Sequence, residues 1–180
     1  MRQEIEVIRQ ILDGDTESFR LLVERYERPV IRMIRNITND IESCEDIAQD
    51  VFFTAYRKLA SFDPVRGNFS TWLFTITRNK SINAMKKKRA LSMSELPEEG
   101  DSHNPYDEVA EKEFFRRLDS ALSKLPSRQK RVFVLAELEK LPYEEIAQIE
   151  GVRVGTIKSR INRAKKRLRT SFKVFKGDIS

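Results

Sequence analysis

The sequence predicts an all-α chain built as two small helical domains joined by a flexible acidic linker. Three observations predict it. Apolar residues recur at helical spacing along nearly the whole chain, and no alternating stretch bounded by turn residues argues for a sheet. At 180 residues the chain is long enough for one medium domain or two small ones. Charge then divides it in three, with a formal net +3 over residues 1–94, −6 over 95–112 and +9 over 113–180.

The elements follow in order. Ile5, Ile8, Ile11 and Leu12 share one face of a first helix that stops at Asp13-Gly14. Asp15 caps a second, with Phe19, Leu22, Val23 and Tyr26 on its apolar side. Pro29 is expected to kink or divide that helix before Val30, Met33, Ile34 and Ile37 resume the pattern. A third helix is expected from about Ile41 to Leu59. After the turn FDPVRGN, Ser70 reads as the N-cap of a fourth, which reaches the KKKR cluster at 86–89. Beyond the linker, Phe114, Leu118, Ala121 and Leu122 mark a helix ending near Leu125-Pro126. Ser127 to Leu138 then reads as helix even though its VFVLA core could pass for a strand.

Composition narrows the function. A charged fraction of 34% and a pI near 9.5 call for an acidic partner, with nucleic acid the first candidate. The single cysteine, Cys44, excludes an intramolecular disulfide and fits a small, partly buried side chain in a reducing compartment. No apolar run approaches the ~20 residues needed to span a bilayer. MRQEIEVIRQ lacks the apolar core of a signal peptide, so a cytoplasmic protein without membrane insertion is expected. No HExxH, CxxC, Gly-rich phosphate loop or nucleophile elbow occurs. Neither metal, cofactor nor catalytic residue is expected, and the lone His103 reads as a solvated side chain.

The sharpest pattern is LPYEEIAQIEGVRVGTIKSRINRAKKRL, residues 141–168: two short helices joined at Gly151, with Pro142 at the first helical position of the leading one. On the second, Val154, Ile157, Ile161, Ala164 and Leu168 form one narrow apolar stripe. Opposite lie Ser159, Asn162, Arg163 and Lys166, and Lys158, Arg160, Lys165 and Arg167 fall on the flanks. Central side chains of this kind reach base edges, with Arg to guanine and Asn to adenine. The flanking cations suit phosphates. Gly155 lets the backbone approach the groove closely. The rival reading is a basic amphipathic helix lying on lipid or another protein; the preceding short helix and Gly turn favour the helix-turn-helix.

Two further stretches have the character of binding surfaces. In the third helix Ile47, Ala48, Val51, Phe52, Ala55 and Leu59 supply the core, which leaves Phe53 pointing away among Asp46, Gln49, Asp50 and Arg57. Either it meets a protein partner or it packs under a neighbouring helix. In residues 62–89, Phe62, Phe69, Trp72 and Phe74 are interleaved with Arg, Asn and Lys, a mixture suited to unpaired bases. Trp72, Leu73 and Ile76 within it read as core.

Together EDIAQDVFFTAYRKL (45–59), FSTWLFTITRN (69–79) and residues 141–168 resemble the extracytoplasmic-function group of bacterial sigma factors, in the family's order. The resemblance implies sigma domain 2 at residues 1–90, a linker at 91–112 and sigma domain 4 at 113–180, with no catalytic activity. It implies that Asp46, Gln49, Asp50 and Phe53 dock on the clamp helices of the largest subunit of core RNA polymerase, whose flap region is a further expected contact. It further implies that Phe62, Asn68, Phe69, Asn79, Lys80, Asn83 and Lys86 hold the single-stranded −10 promoter element. Lys158, Ser159, Arg160, Asn162, Arg163 and Lys166 then read the duplex −35 element. An anti-sigma factor is an expected partner, in a stress or envelope response. Asn83 stands where the family often has Asp, and Arg153 where Pro is common.

The acidic linker fits that scheme. Elements two helical turns apart lie roughly 70 Å from each other. Residues 91–112 reach ~70 to 80 Å only when nearly extended, and a run of like charges favours extension while phosphate repels it. An inert spacer and a strip threading the polymerase cleft both remain open. The rival to the whole scheme is a one-component transcription regulator with an N-terminal sensor domain.

Overall fold

The computed structural model of the chain describes residues 2–38, 40, 42–92 and 120–177. Every regular element among them is helical. They fall into two compact units, one built on the helices between Arg2 and Ser92, the other on those after residue 120. Most of the expected linker, with His103, and the helix positions Phe114 and Leu118 lie outside the described residues.

In the first unit α1 (Arg2–Leu12) ends where Gly14 takes φ +112. There the N–H of Asp15 donates to the carbonyl of Gln10 (3.0 Å) and that of Gly14 to Ile11 (3.2 Å). This pairing closes a helix with a left-handed residue, which glycine adopts without steric cost. Asp15 then accepts from the backbone N–H (3.3 Å) and the hydroxyl (2.6 Å) of Ser18, capping the next turn as expected.

Helix α2 (Phe19–Thr38) runs on through Pro29, so of the expected kink or division the division does not occur. Proline removes one backbone donor, but apolar residues on both sides of it, Leu22, Tyr26, Val30, Met33, Ile34 and Ile37, are all buried. At about 1.5–3 kcal/mol for each large apolar side chain, this stripe outweighs one lost hydrogen bond. Helix α3 (Cys44–Arg57) and α4 (Phe69–Ser92) pack against α2 and against each other. The start of α4 corrects the sequence reading, because the N–H of Trp72 donates to the carbonyl of Asn68 (3.2 Å). Asn68, not Ser70, therefore stands at the cap. Ser70 lies one residue inside the helix, where its hydroxyl bonds to Tyr26.

Helix α4 is buried on more than one side, with Phe69, Leu73, Phe74, Thr77 and Ser81 all inside. The two buried hydroxyls donate back along the helix, Thr77 to the carbonyl of Leu73 (2.9 Å) and Ser81 to that of Thr77 (2.8 Å). Neither hydroxyl is stranded. Another polar contact closes the core, where the Tyr26 hydroxyl donates to Glu4 and Arg25 pairs with the same carboxylate at 3.3 Å. Burial, and then the bond to Glu4, raise the phenol above its ordinary range.

In the second unit α5 (Ser127–Phe133) continues into one wide turn, Val134–Leu138. The N–H of Glu139 reaches back five residues to Val134 (3.1 Å), and Lys140 takes φ +56. The VFVLA segment is thus helical as read, with its last turn widened. Helix α6 (Tyr143–Glu150) begins one residue after Pro142, whose carbonyl accepts from Ile146 (3.0 Å). Pro142 therefore caps the helix instead of opening it. Gly151, at φ +65, closes α6 with the same two-bond motif as Gly14: Val152 to Ala147 (3.0 Å) and Gly151 to Gln148 (3.2 Å). Helix α7 (Val154–Gly177) follows and packs on α5. Its stripe of Ile157, Ile161, Ala164 and Leu168 is buried, and Ala164 and Leu168 meet Ala121, Leu122 and Leu125.

Candidate protein- and nucleic-acid-binding surfaces

The first surface lies along α2 and α3. Ile47, Ala48, Val51, Phe52 and Ala55 are buried, and Phe53 is 61% exposed. The packed alternative for this ring is thereby excluded within its own unit. Phe53 is stiffened by Arg57, whose guanidinium lies 5.7 Å from the ring centre. Beside it runs a groove of about 1180 Å³. Its α2 wall is Phe19, Val23, Glu27 and Ile31, one residue per turn, and its α3 wall carries Asp46, Gln49, Asp50 and Tyr56. Phe19 and Tyr56 meet edge to face at 5.1 Å. Four acids and no Lys or Arg line the groove, so its complement is a cationic, partly apolar surface. Sequence reasoning missed the α2 wall. The signal lay in Phe19, Val23 and Ile31, which sit to one side of the buried α2 stripe.

The second surface is α4 and the loop before it. Asn79, Asn83 and Lys86 are exposed at spacings of four and three, which is one helix face. Lys80 is half-buried and pairs with Asp50 of α3 at 3.5 Å. The expectation that Phe69 holds the −10 strand is corrected here. Phe69 is 3% exposed, packed edge-on to Phe62 (5.6 Å) and tilted against Trp72 (5.6 Å). A ring closed in on several sides has no face for a base; Phe69 instead props Phe62, which is half-buried. Asn68 is likewise half-buried and already bonded. Farther along α4, Lys88 does not face solvent freely. Its ammonium donates to Asp40 at 2.7 Å, and the Ser43 hydroxyl donates to the same carboxylate at 2.6 Å. These two bonds, Lys88 first, hold the Asp40 carboxyl below its ordinary range against the opposing effect of burial, and Lys88 is raised in return.

The third surface is the outer side of α7. Asn162, Arg163 and Lys166 are exposed opposite the buried stripe and Lys158 is exposed on its flank, with Ser159 and Arg160 half-buried. The Ser159 hydroxyl donates to the carbonyl of Thr156 (3.1 Å), which leaves it an acceptor, and Arg160 already has a partner. A Cβ on Gly155 would meet nothing within 4 Å, so the backbone there stands open. Lys165, expected among the flanking phosphate contacts, is tied to Glu137 at 2.8 Å, and this bond raises its pKa. The wide turn at Val134–Leu138 carries that glutamate. Among the described residues no cluster of His, Cys, Asp or Glu is arranged to hold a metal, and no helix is long and apolar enough to cross a membrane.

An acidic-rimmed aromatic groove and an Asn- and Lys-bearing helix in one unit, with a helix-turn-helix in the other, define a multi-surface transcription protein. Comparison with known proteins gives the family. Sigma-70 region 2 matches residues 22–91 and Sigma-70 region 4 matches residues 115–168. The chain is 32% identical over 174 residues to the ECF RNA polymerase sigma factor SigW of Bacillus subtilis, covering 90% of this chain and 92% of that one. It is 33% identical over 173 residues to the ECF sigma factor RpoE of Cereibacter sphaeroides, covering 92% of each. Among solved structures, RpoE of Bartonella quintana in complex with the anti-sigma factor NepR has a TM-score of 0.76 at 27% identity. That match covers 88% of this chain and 98% of the other. The chain belongs to the extracytoplasmic-function (ECF) RNA polymerase sigma factors.

Proposed function

We propose that this chain directs promoter-specific initiation by core RNA polymerase, with residues 1–90 as sigma domain 2 and residues 113–180 as sigma domain 4. The first unit docks the polymerase clamp helices through Asp46, Gln49, Asp50 and Phe53. The same unit holds the opened −10 strand through Phe62, Asn79, Lys80, Asn83 and Lys86, with Asn68 and Phe69 supporting the loop. The second reads the −35 duplex through Lys158, Ser159, Asn162, Arg163 and Lys166, with Arg160 at the edge of that face, and meets the polymerase flap. RNA synthesis stays with the polymerase; this chain supplies no catalytic group.

The observation that carries the reading is the exposure of Phe53 over a groove whose charged lining residues are all acids, in a chain whose α7 presents the exposed Lys158, Asn162, Arg163 and Lys166. One surface recruits a basic protein helix, the other a polyanion. An anti-sigma factor would silence the chain by covering one of these surfaces, and the likeness to a sigma factor solved with NepR favours such a partner. The sensor-domain alternative is not favoured, since residues 22–91 match sigma region 2. In vitro transcription with core enzyme and a genomic template library tests the proposal. Initiation at a defined set of promoters is expected, and a chain that directs none at any promoter overturns it.

A further inference from the structure

A group of cations converges in the C-terminal unit beside the recognition face. An open cleft of about 540 Å³ lies between residues 121–125 and the later turns of α7. Ala121 and Leu125 form its floor. Lys124, Arg163, Lys166 and Arg167 stand around it with the hydroxyls of Thr170 and Ser171. Arg163, Lys166, Arg167 and Thr170 share one side of α7 by their spacing of three, four and seven. Lys124 arrives from a separate part of the chain and carries no role in the reading above.

No carboxylate lines the cleft, and among the described residues none of the four cations makes an ion pair. The arrangement is held in place from beneath, because Ala121 and Leu125 are 2% and 6% exposed and pack with Leu168. Four like charges fixed around one cleft repel each other, and an anion entering it removes that repulsion. The Thr170 and Ser171 hydroxyls donate to the carbonyls of Lys166 (3.1 Å) and Arg167 (3.2 Å), so the attraction falls to the cations. A carboxylate is satisfied by one arginine; two guanidinium and two ammonium groups match the several oxygens and higher charge of phosphate.

We propose that this cleft is a phosphate site, and that Lys124 holds a backbone phosphate of the duplex bound by α7. The inference rests on the reading of this unit as duplex-binding. A free polyphosphate shares the same chemistry, and the test separates the two sources.

The test uses the full chain and a fluorescein-labelled duplex of mixed sequence, with binding measured across a salt series. Each phosphate contact contributes about 0.9 to the slope of log K against log salt. Lys124→Gln is expected to lower that slope by about 0.9, with circular dichroism unchanged because the side chain is exposed. Lys140→Gln, an exposed lysine outside the cleft, is expected to leave the slope unchanged. A parallel titration with tripolyphosphate identifies the other source. If Lys124→Gln loses tripolyphosphate and keeps the full duplex slope, the assignment to backbone phosphate is overturned. If neither ligand responds, the site itself is overturned. A wild-type chain that binds no duplex overturns the reading of the whole unit, a result distinct from either.

Discussion

Asp50 and Lys80 face each other at 3.5 Å, so one ion pair joins the acidic rim of the α3 groove to the helix whose outer face carries Asn79 and Asn83. The two residues are assigned to different partners, a polymerase helix and a DNA strand. While the pair is closed, each is partly withheld from its partner. A cationic helix that takes Asp50 releases Lys80 for phosphate. Exposed pairs of this kind contribute about 0.2–1 kcal/mol, so the coupling is modest. Asp50→Asn is expected to strengthen binding of the free chain to a single-stranded −10 oligonucleotide by up to about five-fold, read by fluorescence anisotropy. Affinity identical to wild type would sink the coupling.

Phe53 offers the cleanest separation of binding from folding. Because its ring is 61% exposed, Phe53→Ala should leave the thermal midpoint near wild type, within about 0.5 kcal/mol of stability. It should weaken association with core polymerase by more than about 1 kcal/mol if the ring is an anchor of the interface. Surface plasmon resonance against core enzyme distinguishes this from a passive surface ring, for which core affinity would not move.

Arg163 projects from α7 opposite the buried stripe without an ion-pair partner among the described residues. Arg163→Ala should cost about 1–3 kcal/mol in −35 recognition and relax the preference at one base pair. Promoter use indistinguishable from wild type in a competitive transcription assay would remove Arg163 from the reading set.

The Asp40–Lys88 contact predicts a pH signature. The Asp40 carboxyl sits below its ordinary range, so its contribution is complete above the unfolded carboxylate value and is lost as pH falls through the lower folded value. Lys88 is raised, so its contribution is complete below the unfolded lysine value and disappears as pH rises through the higher folded one. Between those limits the pin is at full strength. Asp40→Ala should destabilise the first unit by on the order of 1–2 kcal/mol at neutral pH, and the difference from wild type should shrink in acid. A gap that persists unchanged into acid would place the effect elsewhere.

Helices were legible in the sequence because their signals are local. The stripe Ile157, Ile161, Ala164 and Leu168 sets its own spacing, and Gly14 and Gly151 mark left-handed closures that other residues rarely adopt. Pro29 does not divide α2 because the lost hydrogen bond is local whereas the burial that overrides it comes from α3 and α4. Ser70 misled because several residues before a helix have capping chemistry, and the entry of the chain from the preceding loop selects among them.

The candidate surfaces divide the same way. Asn162 and Arg163 could be placed from periodicity, since a polar residue opposite a buried stripe has nowhere to go but outward, whereas Asn79 and Asn83 came from the family resemblance. Phe69 could not, because an aromatic in a polar stretch is equally a stacking platform or a core residue until its neighbours are known. Here Tyr26, Phe62 and Trp72 enclose it.

The amino-acid order alone determined the helical elements, the charge layout and the outward face of α7, all of them consequences of short-range geometry and composition. Which outward groups stay free was decided only in three dimensions. Asp50 with Lys80, Asp40 with Lys88 and Glu137 with Lys165 are far apart in sequence, and charges pair by distance in space.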